Sequence, residues 1–533
     1  MEDKDTRGRR RFLETWLAGG ALACSPAAYA AATDPARPQG IYNVRDFGAM
    51  GTGQVLDTKA LQSAIDAAAS SGGMVYFPPG AYLSGTLFLK SHVTLHLEAG
   101  AVLLGSTNLA DLPEARPALR SSVDAITTRG LIYGENLENV SLLGRGTING
   151  QGAAYLGRPD HERPFLLRLI SCRDVHVTDL TLRDSPSWVQ HYLACDNVLL
   201  RGLKVHSRAN HNNDGIDIDC CQKVFVSDCE IIAEDDAICL KSSVDRPCRD
   251  ITIANCVVSS LCNGLKMGTG SVGGFQNIAI TNCAIYDTTL SGIALEIVDG
   301  GLLENVVISN IVMRDVRSAI FLRLGNRANP AYEGAPRPGL GTFRNVVINN
   351  VQAHGVDKVG CAISGIPERA IENVTLSNIC LRFQGGANFS DAGRNVPERP
   401  EVYPEYNMFG MLPAYGFYCR HVRNVRILNT QVGVERQDLR PALVCDDVEG
   451  LRLSDFETSN SSPVLRLRNT RNAWIESNRA PKDNDVYLRL EGKQTRNICL
   501  GANDLRNAKK PVELAPEVAA DAVVAMTPSP KSL

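Results

Sequence analysis

Strands of alternating apolar residues recur along the chain at a nearly constant interval, and that interval restricts the fold more than any other feature of the sequence. Aligned on Gly215-Ile216, Ala237-Ile238, Gly264-Leu265, Gly292-Ile293 and Ala319-Ile320, the apolar positions are separated by 22, 27, 28 and 27 residues. A second phrase keeps the same beat. Asn139-Val140, Asp174-Val175, Asn197-Val198, Lys223-Val224, Asp250-Ile251, Asn277-Ile278, Asn305-Val306, Asn345-Val346, Asn373-Val374 and Asn424-Val425 each start a strand. From 175 to 306 the spacing is 23, 26, 27, 27 and 28 residues, and gaps of 40, 28 and 51 then mark inserted loops. Coils of this length, made of two or three short strands and tight corners, close into an all-β, right-handed, single-stranded parallel β-helix. A leucine-rich horseshoe would carry a leucine consensus, and a propeller blade needs roughly 40 residues or more, so neither fits.

A repeat that persists for most of 533 residues makes one elongated body rather than several domains. Asp57, followed by Leu61, Ile65 and Ala68 at helical spacing and by Gly72-Gly73, predicts one amphipathic helix that caps the exposed edge of the first coil. The expected organisation is a signal over 1–30, a linker over 31–42, the β-helix over 43–513 and a loose tail over 514–533. Two Pro- and Gly-rich insertions, 327–342 and 385–413, are expected to wall a groove.

The N-terminus carries Arg9-Arg10-Arg11-Phe12-Leu13, an apolar run over 16–23 and Ala28-Tyr29-Ala30, which resembles a twin-arginine export signal and implies a periplasmic or secreted protein. No run approaches the roughly 18 apolar residues of a membrane span. A net charge of -3 with 21% charged residues offers no basic face for nucleic acid, and a monomer is expected. The 16 cysteines lack the spacing of a disulfide framework or a zinc site. Cys229, Cys256 and Cys283 instead fall 27 residues apart, as a buried row of reduced thiols would.

The chemistry concentrates in two motifs one coil apart, Asn212-Asn213-Asp214-Gly215-Ile216-Asp217 and Glu234-Asp235-Asp236-Ala237-Ile238-Cys239-Leu240-Lys241. Strands one coil apart lie about 4.8 Å from each other, so equivalent positions form columns. The repeat predicts three: Asp214, Asp236, Asn263, Ser291 and Ser318; Asp217, Cys239, Lys266, Ala294 and Phe321; Asp219, Lys241, Gly268, Glu296 and Arg323. Asn-Asp-Gly alone is a common turn, and Asn or Asp rows are frequent at β-helix corners. Two carboxylate-dense motifs stacked at one position of the repeat point to a site, because like charges stacked without a use cost stability. One acid of the cluster should hold a proton and serve as general acid, while an ionised partner activates water, with about 6.5–9.5 Å between the two in an inverting glycosidase.

Together with Ser185-Pro186-Ser187-Trp188 and Asp235-Asp236-Ala237-Ile238-Cys239-Leu240-Lys241-Ser242, these motifs resemble glycoside hydrolase family 28, the polygalacturonases and rhamnogalacturonases. The resemblance runs from about Asn43 to Leu500. It implies inverting hydrolysis of pectic polysaccharides or oligosaccharides with no metal or organic cofactor. Asp235 would protonate the leaving oxygen, and Asp214 and Asp236 would hold and activate the water. The chain departs from the family's Gly-His-Gly, having Cys262-Asn263-Gly264, and from its Arg-Ile-Lys, having Ala294-Leu295-Glu296. Lys241, Lys266 and Arg323 are the expected replacement cations, with Arg323 otherwise pairing with Glu296. Asn212, Asn263, Trp188 and His191 complete the expected substrate contacts. Blockage of one end of the groove by the insertions would make cleavage start from a chain end. Two other functions use the same residues: a calcium-dependent polysaccharide lyase with Lys266 or Arg323 as base, and a glycan-binding protein without turnover.

Overall fold

A computed structural model describes residues 40–459 and 461–525, and the expected signal over 1–30 lies outside them. The described chain is a right-handed parallel β-helix in which every named strand pair runs parallel. The body begins at Gly40–Asn43, which pairs with Gly73–Phe77, so part of the expected linker belongs to the first coil. It also outlasts the expected boundary at 513, because Val523–Ala525 pairs with Arg496–Leu500 as a further rung. Among the described residues no helix is long and apolar enough to cross a membrane.

Helix α1, Thr58–Ala69, buries Leu61, Ala64, Ile65 and Ala68 in the same core as the first strands. That face covers strand edges that would otherwise template aggregation. Asp57 stands at its start, but its carboxylate accepts the N–H groups of Met50 and Gly51 at 2.7 and 2.9 Å rather than capping the helix.

The repeat read from the sequence is the register of the coils. Val140, Val175, Val198, Val224, Ile251, Ile278, Val306, Val346, Val374 and Val425 form one continuous row. The residue before each is left-handed, with φ between 53° and 59° from Asn139 to Asn424. Asn and Asp tolerate that conformation best among side-chain-bearing residues, which is why the phrase recurs. Several donate amide N–H bonds to the coil below, as Asn277 does to Asp250 at 3.1 Å and Asn305 to Asn277 at 3.2 Å. Cys229, Cys256 and Cys283 are buried and free, packed at equivalent positions of successive coils.

One sheet carries the acids. Its strands include β1 (Gln190–Leu193), β2 (Ile216–Asp219), β3 (Ile238–Ser242), β4 (Leu265–Ser271), the end of β5 (Phe275–Ile297) and the end of β6 (Leu302–Leu324). Tyr192, Ile218, Leu240, Met267, Leu295 and Leu322 point inward as one buried row. The alternate residues face outward, and the second expected column, Asp217, Cys239, Lys266, Ala294 and Phe321, is reproduced in full. The third column breaks at Gly268, because the register shifts between Leu240 and Ser242 and pairs Ser242 with Ser271.

Candidate active site

Gly215 lets the two acid motifs close on each other, since a Cβ there would lie 2.5 Å from the carbonyl oxygen of Ala237. The N–H of Gly215 donates to the carbonyl of Asp236 at 2.9 Å, which stacks the turn before β2 on the turn before β3. Asn213, fully buried, holds the first turn by donating to Ser187 O at 3.0 Å and accepting from Ser207 at 2.9 Å. The result is a cluster in which one oxygen from each of Asp214, Asp235 and Asp236 lies within 4.8 Å of the others. Asp214 and Asp236 are buried and Asp235 is half-buried. This is tighter than the roughly 6.5–9.5 Å expected for an acid and a base that work as a lone pair. Here three carboxyls share the space.

Two lysines divide the cluster. Lys241 Nζ lies 3.2 Å from Asp214 Oδ2 and 3.0 Å from Asp217 Oδ1. The second contact is an ion pair without hydrogen-bond alignment, leaving both Asp217 oxygens without an aligned donor. Lys266 Nζ lies 3.1 Å from Asp236 Oδ2, while Asn263 donates to Asp236 Oδ1 from its side chain at 2.8 Å and from its backbone at 3.2 Å. Their protonation diverges accordingly. Burial, then the charges of Asp217 and Asp235, hold the Asp214 carboxyl well above the usual range despite Lys241. Burial also lifts Asp217 to about 7 against the pull of Lys241. Burial would raise Asp236 too, but Lys266, Lys241 and the Asn263 bond outweigh it and bring it below its ordinary value. The site therefore sets an Asp214 biased toward its protonated form beside an Asp236 biased toward its ionised form.

Asp235 reaches solvent more than its neighbours do. Its Oδ1 accepts the Asp236 N–H at 2.8 Å and its Oδ2 faces Asn212 Nδ2 at 3.4 Å. Asn212 is left-handed and is held by the buried Arg163 at 2.9 Å. These groups open on a cavity of about 230 Å³, also lined by Trp188, Ser243, Thr269, Asp299, Arg327, Asn329 and Tyr403. Trp188 stacks on Phe165 at 5.3 Å, with Lys241 4.5 Å from its own ring centre.

Apolar packing flanks the acids in both directions along the sheet. Beyond Lys266 the outward positions turn apolar, and Ala294, Phe321, Ala362, Tyr418 and Val444 pack under Val396, Tyr406, Met408, Phe409 and Leu412 of the second insertion. On the other side, Val123 and Ile126 pack with Phe165 and Trp188. Arg120 then bridges to the first insertion, donating to Glu333 O at 3.2 Å and lying 4.3 Å over the Tyr332 ring.

Of the expected contacts, Asn212, Lys241 and Trp188 line the cavity with the three acids. Asn263 and Lys266 lie behind Asp236 and hold it, so Lys266 is not a free cation for a sugar. His191 is fully buried beneath Trp188 and pairs with Asp219 at 3.3 Å, which corrects its reading as a substrate contact. Arg323 is corrected as well. It is fully buried and makes no pair with Glu296; it donates to Glu398 O at 2.8 Å and Gly365 O at 2.9 Å and so anchors the second insertion. Arg420 does the same through Val396 O and Pro397 O, at 2.7 and 2.8 Å. Sequence reasoning missed Tyr403, Glu405, Asp299 and Arg327. Tyr403 and Glu405 reach Lys266 at 3.3 and 3.6 Å from an insertion that follows no repeat. Asp299 follows β5 directly, and only its place just beyond the third column marked it.

The chain matches the family profile described as Glycosyl hydrolases family 28 over residues 89–400, more than half of its length, and one described as Rhamnogalacturonase A/epimerase, pectate lyase-like over 41–114. It is 29% identical over 371 residues to a probable polygalacturonase of Vitis vinifera, covering 64% of this chain and 74% of that protein. It is 28% identical over 253 residues to an exo-poly-alpha-D-galacturonosidase of Dickeya chrysanthemi, covering 37% of this chain and 41% of that one. Its fold is shared with the exopolygalacturonase of Yersinia enterocolitica, with a TM-score of 0.57 at 20% identity over 82% of this chain and 78% of that one. The stacked acids on this sheet and the profile match agree: the chain belongs to glycosyl hydrolase family 28 and is a glycosidase.

Proposed function

We propose that the protein is an inverting, exo-acting hydrolase of galacturonate-containing pectic chains. Asp235, the half-buried member of the trio, gives its proton to the leaving glycosidic oxygen as the bond to the anomeric carbon breaks. Water held between Asp214 and Asp236 attacks that carbon from the opposite face and passes a proton to Asp236. The observation that carries this reading is the unequal treatment of the acids. Both Asp236 oxygens are engaged by Lys266 and Asn263, which suits a base better than a nucleophile, while Asp214 Oδ1 is a buried acceptor with no hydrogen-bond partner among the described residues, which an enclosed water would satisfy. The relatives' names support the pectic substrate, and the second insertion packed over the sheet beyond Lys266 supports attack from a chain end.

A lyase would use the trio for calcium, which takes 6–8 oxygen ligands. Lys266 Nζ, 3.1 Å from Asp236 Oδ2, already neutralises that carboxylate, and Lys241 Nζ stands 3.2 Å from Asp214, where the calcium would have to bind.

Proton NMR of fresh digests of galacturonate and rhamnogalacturonan oligomers, with a chelator present, tests these points together. The expected products are short, saturated sugars of inverted anomeric configuration, released from one end and undiminished by the chelator. Retained configuration would overturn the inverting mechanism. Unsaturated, ultraviolet-absorbing products lost with the chelator would establish the lyase, and no product from either oligomer would remove the pectic reading.

A further inference from the structure

Two lysines are engaged by the acids, Lys241 in the cavity with Asp214 and Asp217 and Lys266 behind it with Asp236. Arg327 differs. Its Nε donates to Asp299 Oδ1 at 2.9 Å and its Nη2 to Asp299 Oδ2, and neither bond uses Nη1. Asp299 is pinned in turn. It is buried, its Oδ1 also accepts the Asn329 N–H at 2.9 Å, and its own N–H donates to Ser271 Oγ at 2.9 Å. The guanidinium lies 5.4 Å from the ring centre of Tyr403, which fixes its plane from a second side. Asp299, Arg327, Asn329 and Tyr403 all line the cavity that holds the three acids.

We propose that Arg327 is a specificity-determining residue that receives the carboxylate of a hexuronate unit in this cavity. The assignment rests on the pectic reading above. An anionic sugar placed beside Asp214, Asp235 and Asp236 needs a cation that those acids have not taken. A planar fork meets a carboxylate with directed N–H groups, and one already clamped along one edge loses little freedom when a ligand takes another. The pair sits on the first insertion and its neighbouring coil, outside the acid trio, so it can select substrate without altering the acids.

Steady-state kinetics on a galacturonate oligomer, and on the same oligomer with its carboxyls reduced to primary alcohols, test the assignment. The wild-type protein should prefer the acidic oligomer by about tenfold or more in kcat/KM, as a charged hydrogen-bonded contact provides. The double exchange Arg327→Gln with Asp299→Asn replaces the ion pair by a neutral pair of similar shape. It should erase the preference, mainly through a higher KM for the acidic oligomer. A preference that survives in the double variant overturns the assignment, and so does an equal loss on both oligomers, which would make the pair only a wall. Should the double variant not fold, Arg327→Lys keeps the charge without the fork; an unchanged KM for the acidic oligomer would then overturn it. A wild-type protein that cleaves neither oligomer removes the pectic reading and this inference with it.

Discussion

Asp235→Asn is expected to lower kcat by a factor of about 10²–10⁴, the range that a positioned general acid contributes. Asparagine keeps the shape of the side chain, and its one oxygen can still accept the Asp236 N–H, now at 2.8 Å; only the long 3.4 Å contact from Asn212, which Arg163 holds independently, is given up, so the turn should not move. It has no proton to give to a leaving alkoxide. Binding of an oligosaccharide, read by calorimetry, should stay within about threefold of wild type, a shift below 1 kcal/mol. Substrates with a more acidic leaving group, such as nitrophenyl glycosides, should recover part of the lost rate because they need less protonation. A variant that turns over normally would place the acid elsewhere.

The second large effect belongs to Lys266. Lys266→Met removes the ammonium 3.1 Å from Asp236 and leaves a carboxylate that is only 2% exposed facing an apolar chain. Breaking a buried pair in this way costs about 3–5 kcal/mol, so the melting temperature should fall clearly. The effect on pH follows in sign. Asp236 now lies below its ordinary value because Lys266 and Lys241 outweigh its burial. Such a group stabilises the fold at pH values above its unfolded pKa of about 3.9, and that contribution is lost as pH falls through the lower folded value. Without Lys266 the carboxyl should titrate higher. The acid limb of the kcat/KM profile then moves to higher pH, kcat at neutral pH drops by about 10²-fold as the base is lost, and the stability gap to wild type narrows on acidification. An unmoved acid limb would mean that Asp236 is not the base.

The fold was legible because each coil announces itself twice. A left-handed Asn or Asp marks the corner and a β-branched residue marks the strand that follows, so the row from Val140 to Val425 can be phased from the sequence alone. The meeting of Asp214, Asp235 and Asp236 was expected from the same phase, since it stacks the two motifs at one position of the repeat. Register gives the column of a side chain but not the direction of its head group. Lys266 belongs to the Asp217 column, yet its long stem carries Nζ back across one coil to Asp236. Arg323 faces outward as the column requires, but an insertion 75 residues later in sequence covers it through Glu398 O. Tyr403 and Glu405 were invisible for the complementary reason: they sit in that insertion, outside any repeat, and reach the site only through the fold of the loop. The register break at Gly268 and the further rung at Val523–Ala525 were likewise beyond what periodicity shows.

The proposed hydrolysis requires adjacent coils to bring three separately encoded acids around one glycosidic bond. A crystal structure of Asp235→Asn soaked with a galacturonate oligomer tests it most directly. The sugar chain is expected to end in the cavity beneath Tyr403, with the glycosidic oxygen at hydrogen-bond distance, about 2.6–3.2 Å, from residue 235 and the anomeric carbon facing a water between Asp214 and Asp236. An oligomer bound elsewhere on the β-helix, or one in this cavity with its glycosidic oxygen turned away from residue 235, would contradict it.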